Sequence, residues 1–202
     1  MTEVLVPVAR LVRWVDNFAH RHGHTELTVA DGALTGRAAD GSTFTARLPF
    51  ETAYAGPAAP GAFAAAVAVP DRWGIVLARK GGFAVARLAG EKMVEHKVGQ
   101  RHVQGRTKAG GQSQQRFARR RDNQARQAYE AAAEHAARIL GGAAMPLVTG
   151  GDHAAVDEVL ADPRLHGLTV TAPWLPVPDP RRAVLESAIA DARSVRIDVV
   201  NA

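Results

Sequence analysis

The chain has 202 residues, 47% hydrophobic and 22% charged, enough for one full domain or a domain with a smaller companion, and too apolar for global disorder. It contains no cysteine, which excludes a disulfide scaffold, thiolate zinc sites and cysteine catalysis. The net charge of +5 rests on 21 Arg and only 4 Lys, a ratio that beside 40 Ala partly reflects GC-rich codon usage, so its placement says more than its size.

No apolar run reaches the ~20 residues that span a bilayer. The opening MTEVLVPVAR lacks the charged-then-apolar layout of a signal peptide. A soluble, cytoplasmic protein without membrane contact is expected.

Pro7 to Arg21 predicts a short amphipathic helix, with Val8, Leu11, Val12, Val15 and Phe18 at three/four spacing and Gly23 as its stop. Asp31-Gly32 and Asp40-Gly41 then separate the short segments Leu27–Ala30, Ala33–Ala38 and Ser42–Leu48. Asp-Gly suits the positive φ angles of tight hairpins, so a three-stranded antiparallel meander follows. Residues 1–53 thus form a small α+β N-terminal extension. The stretch 54–69, rich in Pro, Gly and Ala without clear periodicity, reads as a linker.

A second domain is expected over 70–202. Trp73–Arg79, Phe83–Leu88 and Lys92–Val103 predict three antiparallel strands, and a polar, basic loop spans 99–113. A long helix runs from Gln114 to Leu140, carrying Phe117, Arg121, Ala125, Ala128, Ala132, Ala136 and Ile139 at helical spacing, and ends at Gly141-Gly142. Strand Met145–Thr149, helix His153–Leu160 with Asp152 as N-cap, strand Gly167–Ala172 and helix Arg181–Ala192 after Asp179-Pro180 complete the order. The fold class is therefore α/β. Three antiparallel strands followed by alternating helices and strands give the element order of a ribonuclease-H-like mixed sheet.

Charge is concentrated between Lys97 and Arg126. Nine basic residues and one acid, Asp122, give that window +8, and the other 172 residues sum to −3. Its densest part, GQRHVQGRTKAGGQSQQRFARRR, has no apolar residue that could anchor it between Val103 and Phe117. A solvated linker competes with this reading, yet a plain linker mixes Ser, Glu, Pro and Lys more evenly. Local positive charge attracts phosphate.

The tripeptide Gly110-Gly111-Gln112 resembles the GGQ motif of peptide release factors. The longer run Lys108-Ala109-Gly110-Gly111-Gln112-Ser113-Gln114-Gln115-Arg116, placed after a third strand at the head of a long helix, resembles the Vms-like release-factor family of peptidyl-tRNA hydrolases. The resemblance covers about Pro70 to Ala202 and not the first sixty residues. It implies a ribonuclease-H-like core and hydrolysis of peptidyl-tRNA on stalled large ribosomal subunits, with peptidyl-tRNA and ribosomal RNA as partners and no metal or cofactor.

The family's spacing of a Gly, two variable residues and the catalytic Gln selects Gln114, whereas the tripeptide selects Gln112; Gln115 is a more distant third. Gly110, Gly111 and Ser113 complete the implied catalytic segment. Arg101, Arg106, Lys108, Arg116, Arg119, Arg120, Arg121 and Arg126 are the implied RNA-binding residues, against the alternative of an ordinary solvated helix face. A glutamine amide does not titrate, so it cannot be a general base. It can hold a water near attack distance while backbone N–H groups meet the developing oxyanion.

Two other readings are open. The same surface could serve a ribosome- or RNA-binding protein without hydrolase activity. A metal-dependent nuclease of this fold needs clustered carboxylates beginning on the first core strand, and WGIVLAR has none. His20, His22 and His24 in HRHGH read as a polar helix-end turn rather than a metal site. Gly150-Gly151-Asp152 reads as structural, because no P-loop Lys-Ser/Thr follows it.

Overall fold

The computed structural model describes residues 1–100 and 112–202, with side chains throughout except at 100 and 112–125. The chain divides into two units, Met1–Val69 with Ile189–Ala202, and Pro70–Ala188.

In the first unit, strands β1 (Thr2–Val6), β2 (Thr25–Ala30), β3 (Ala33–Ala38), β4 (Thr43–Arg47) and β10 (Val195–Val200) form an antiparallel sheet in the order β1-β10-β4-β3-β2. Helix α1 (Leu11–His22) buries Leu11, Val15 and Phe18, one face of a 3.6-residue period. Phe18 meets Phe44 of β4 edge to face at 5.0 Å, and Trp14 meets the same ring at 5.3 Å. A β-carbon at Gly36 of β3 would collide with Phe44, so glycine there makes room for the ring. Asp31 (φ 50°) and Gly32 (φ 72°) both take the positive angles of a type I′ turn, which is why the first Asp-Gly makes a two-residue hairpin. Gly23, at φ 90°, ends α1 and donates its N–H to Ala19.

The second unit contains β5 (Trp73–Arg79), β6 (Gly82–Ala89), β7 (Lys92–Gln100), α3 (Gln112–Leu140), β8 (Met145–Gly151), α4 (His153–Leu160) and β9 (Leu168–Leu175). Its sheet has the order β7-β6-β5-β8-β9. β6 is antiparallel to both neighbours, while β5, β8 and β9 are mutually parallel. β5, β7, β8 and β9 therefore all end at one edge, and the chain leaves β7 there. α3 packs on β6, burying Ala128, Ala132, Ala136, Ile139 and Leu140 against Val76, Ala78, Phe83 and Val85. Three alanines at four-residue spacing let the helix backbone lie close to the sheet.

The architecture is mixed α/β with two five-stranded sheets, one antiparallel and one mixed. Most elements expected from sequence are present with ends shifted by a residue or two: the strand expected over Ser42–Leu48 spans Thr43–Arg47, and Trp73–Arg79 is as expected. The strand expected to reach Val103 is described to Gln100, the remainder lying outside the described residues. Helix α5 (Arg182–Ala192) starts after Arg181, and Asp179 ahead of it faces Arg79 of β5 at 3.6 Å. Two strands and one α-helix have no counterpart in the expected order. β1 and β10 join the first sheet across nearly the whole chain length, a pairing local pattern does not reveal. Helix α2 (Pro60–Ala65) lies within the stretch read as a linker, and its Phe63 is fully buried against Tyr54 at 4.8 Å.

Candidate functional site

The expected catalytic segment follows β7 and runs into the start of α3. Arg101, Arg106, Lys108, Gly110 and Gly111 fall outside the described residues. The backbone of Gln112, Ser113, Gln114, Arg116, Arg119, Arg120 and Arg121 is helical, because α3 begins at Gln112, two residues before the expected start. Gln112 and Gln114 thus share its first turn rather than standing one in a loop and one in a helix. Arg126 is exposed. At 1.5 Å per residue the 29-residue helix is about 43 Å long, against roughly 25 Å for a seven- or eight-residue strand. Asp152, which follows the last residue of β8, acts electrostatically on Tyr129. The part of α3 ahead of Tyr129, Gln112 to Ala128, accounts for about 25 Å of that length.

The base of this helix is fixed on β6 and β7. Phe83 of β6 stacks on His135 of α3, centroids 5.6 Å apart and rings inclined by 28°. A β-carbon at Gly99 of β7 would collide with the Phe83 ring, so the glycine opens the space in which it lies. One turn further along α3, Arg138 donates to Glu95 of β7 at 2.5 Å, and Arg87 of β6 approaches the other oxygen of that carboxylate at 3.4 Å. Hydrogen bonds from Arg138 and then Arg87 hold the Glu95 carboxyl below its ordinary pKa. Burial, then the charges of Lys97 and Arg138, hold His135 below 6.5, so the stacked ring favours its neutral form.

At the strand ends, Asp152 caps α4 as expected, its side chain accepting from the Ala155 N–H. Its own N–H donates to Ala78 of β5 at 2.9 Å. Burial, with smaller contributions from Asp152 and Glu158, raises the Tyr129 pKa. His153 stacks face to face on Trp174 of β9, centroids 3.6 Å apart. His135 and His153 have no partner that the sequence identifies; each meets an aromatic ring more than twenty residues away. In HRHGH, His22 pairs with Asp40 at 2.8 Å and packs on Phe18. Among the described residues, no three His, Asp or Glu side chains come together as metal ligands, and no helix is long and apolar enough to cross a membrane.

Chemically, the arrangement puts a glycine- and glutamine-rich segment with the densest positive charge of the chain at the end of a long helix. The described side chains Glu95, Arg138 and His135 pack and pair the other end of that helix. Sequence reading identifies the segment and misses its support: Phe83, Gly99, Glu95 and Arg138 carry no motif, and only the helical spacing of His135 and Arg138 hints at a common surface.

No curated protein matches the chain significantly. The sequence model of the Actinobacteria/chloroflexi VLRF1 release factor matches residues 71–198. That span takes in β7, α3 and the whole segment between them, and the chain belongs to the Actinobacteria/chloroflexi VLRF1 release factor family.

Proposed function

We propose that this chain is a peptidyl-tRNA hydrolase, cleaving the ester between nascent peptide and tRNA on stalled large ribosomal subunits. The observation that carries the proposal is the release-factor match over 71–198, which includes Gly110-Gly111-Gln112-Ser113-Gln114 leading into α3. Ribosome rescue is the role the family implies. The sheet order β7-β6-β5-β8-β9, with only β6 reversed, supports a ribonuclease-H-like core for the second unit.

The ester needs little from the protein beyond position and electrostatics. Gln114, with Gln112 as the alternative, holds a water near the ester carbonyl through an amide that both donates and accepts. Backbone N–H groups of Gly110 and Gly111 meet the oxyanion as it develops. The basic residues at 101, 106, 108, 116, 119, 120, 121 and 126 bind RNA phosphates and fix the approach. The ribose of the terminal adenosine is the leaving group.

Purified stalled large subunits carrying peptidyl-tRNA test this directly. Wild type should release the nascent peptide, and one of Gln114→Ala and Gln112→Ala should abolish release while still binding the complex. Binding by wild type without release would replace the hydrolase with a ribosome-binding protein. Neither binding nor release would reject both.

A further inference from the structure

We propose that His135 and Arg138 of α3, with Phe83, Gly99 and Glu95 beneath them, form a two-point clamp that aims the catalytic end of the helix, making His135 and Arg138 positioning residues for peptide release. The inference rests on the hydrolase reading above and concerns residues outside its catalytic and RNA-binding sets.

The two attachments differ in kind and sit one turn apart. His135 is held by ring stacking over the gap that Gly99 leaves. Arg138 is held by a carboxylate that Arg87 also holds from β6. The buried stripe of Ala132, Ala136, Ile139 and Leu140 seats the helix in the core, and Glu134 also pairs with Arg164 at 2.7 Å. The stack and the ion pair, at i and i+3 and to different strands, add directional contacts to that seating and so trim its tilt and rotation on the sheet. The alanines beside them, Ala132 and Ala136, bring the backbone close but offer no directional bond.

Leverage makes this matter. Gln112 lies 23 residues before His135, about 35 Å along the axis. With an arm of that length, a tilt of about 10° at the clamp moves the far end by about 6 Å. Attack on an ester requires reacting atoms about 3–3.5 Å apart, and a misplacement of about 1 Å can reduce the rate ~100-fold. Groups that never touch substrate therefore control the rate through α3.

The test uses the full chain, whose lack of cysteine permits clean labelling. Nitroxides at Val94→Cys, on exposed β7, and Ala118→Cys, in the first half of α3, report the helix direction by pulsed electron paramagnetic resonance. The clamp is broken by His135→Ala with Arg138→Gln and restored in part by His135→Phe with Arg138→Lys. Release is measured at saturating protein and as a function of protein concentration, and the melting temperature is followed throughout.

The broken clamp should shift or broaden the distance distribution by more than about 5 Å and lower saturated release at least tenfold, with half-saturation changed less than twofold. The conservative pair should recover both. An unchanged distance distribution overturns the clamp, whatever happens to release. A changed distribution with unchanged saturated release overturns the positioning role, and so does a loss of release that follows melting temperature alone. If wild type releases nothing, the hydrolase reading fails separately, and the distances still decide whether the clamp aims α3.

Discussion

At the residue scale the clearest electrostatic site is Asp162. Its carboxylate accepts from the backbone N–H of Arg164 at 2.9 Å and pairs with the Arg164 guanidinium, which also reaches Glu134 of α3 at 2.7 Å. The Arg164 side chain and then its backbone N–H bring the Asp162 pKa down to about 2. Because the folded value lies below the unfolded one, the stabilisation is complete above the ordinary aspartate range and is lost as pH falls through about 2. His135 is depressed too, but a histidine carries the proton when charged. Stability is then unaffected above 6.5 and falls as the pH drops below it, until the folded value is passed. Carbon-detected NMR titration should find both groups below their ordinary values; an Asp162 midpoint near the ordinary aspartate value would contradict the first. The Asp162 shift has a sequence-local cause in Arg164, whereas the His135 shift comes first from burial and then from Lys97, which only the fold brings in.

At the scale of elements, α3 joins a packed half to a charged half. Ala132 is wholly buried in the stripe facing the sheet, while its neighbour Ala131 is exposed. Ala132→Leu should cost about 1–3 kcal/mol through overpacking, whereas Ala131→Leu should stay within about 0.5 kcal/mol, as urea unfolding would measure. In the charged half, replacing Arg119, Arg120 and Arg121 with Gln should weaken binding to stalled subunits. It should also lower the slope of log affinity against log salt by about 2, at roughly 0.7 for each phosphate no longer neutralised. An unchanged slope would mean these arginines are a solvated face. The helix is readable because Ala125, Ala128, Ala132, Ala136 and Ile139 recur at three/four spacing. The Asp-Gly hairpin is readable because few dipeptides tolerate two positive φ angles. Helix α2 is not, because PGAFAA has one large apolar side chain and so no period to detect. The glutamine-bearing segment is legible as a motif, and its clamp is not, because stacking and ion pairing across 52 and 43 residues leave no local pattern.

At the scale of the whole molecule, the first sheet depends on both ends of the chain. β10 lies between β1 and β4, pairing Ile197 with Val4 on one side and Ala46 on the other. Val195 and Ile197 are fully buried in the same core as Phe44 and Phe63. A chain ending at Ser194 should therefore leave β1 without a partner and β4 with one bare edge, and the first unit open to proteolysis, while fragments spanning 70–188 persist. Limited digestion followed by mass spectrometry distinguishes this from uniform resistance, which would show that the sheet tolerates the loss. The alternation in VRIDVV is strand-like, yet nothing in it names a partner near residue 4 or 46.

The position of β10 also sets an order on biogenesis. Domains emerging from the ribosome ordinarily close in the order in which they are made. Here the unit that begins at Met1 lacks its second strand until Val195–Val200 has been synthesised, whereas every strand of the second unit's sheet is already present once Leu175 has appeared. The later-made unit can close first, and the earlier-made one waits with β1 unpartnered and β4 bare along one edge. During synthesis, the interior of the message matures before its beginning.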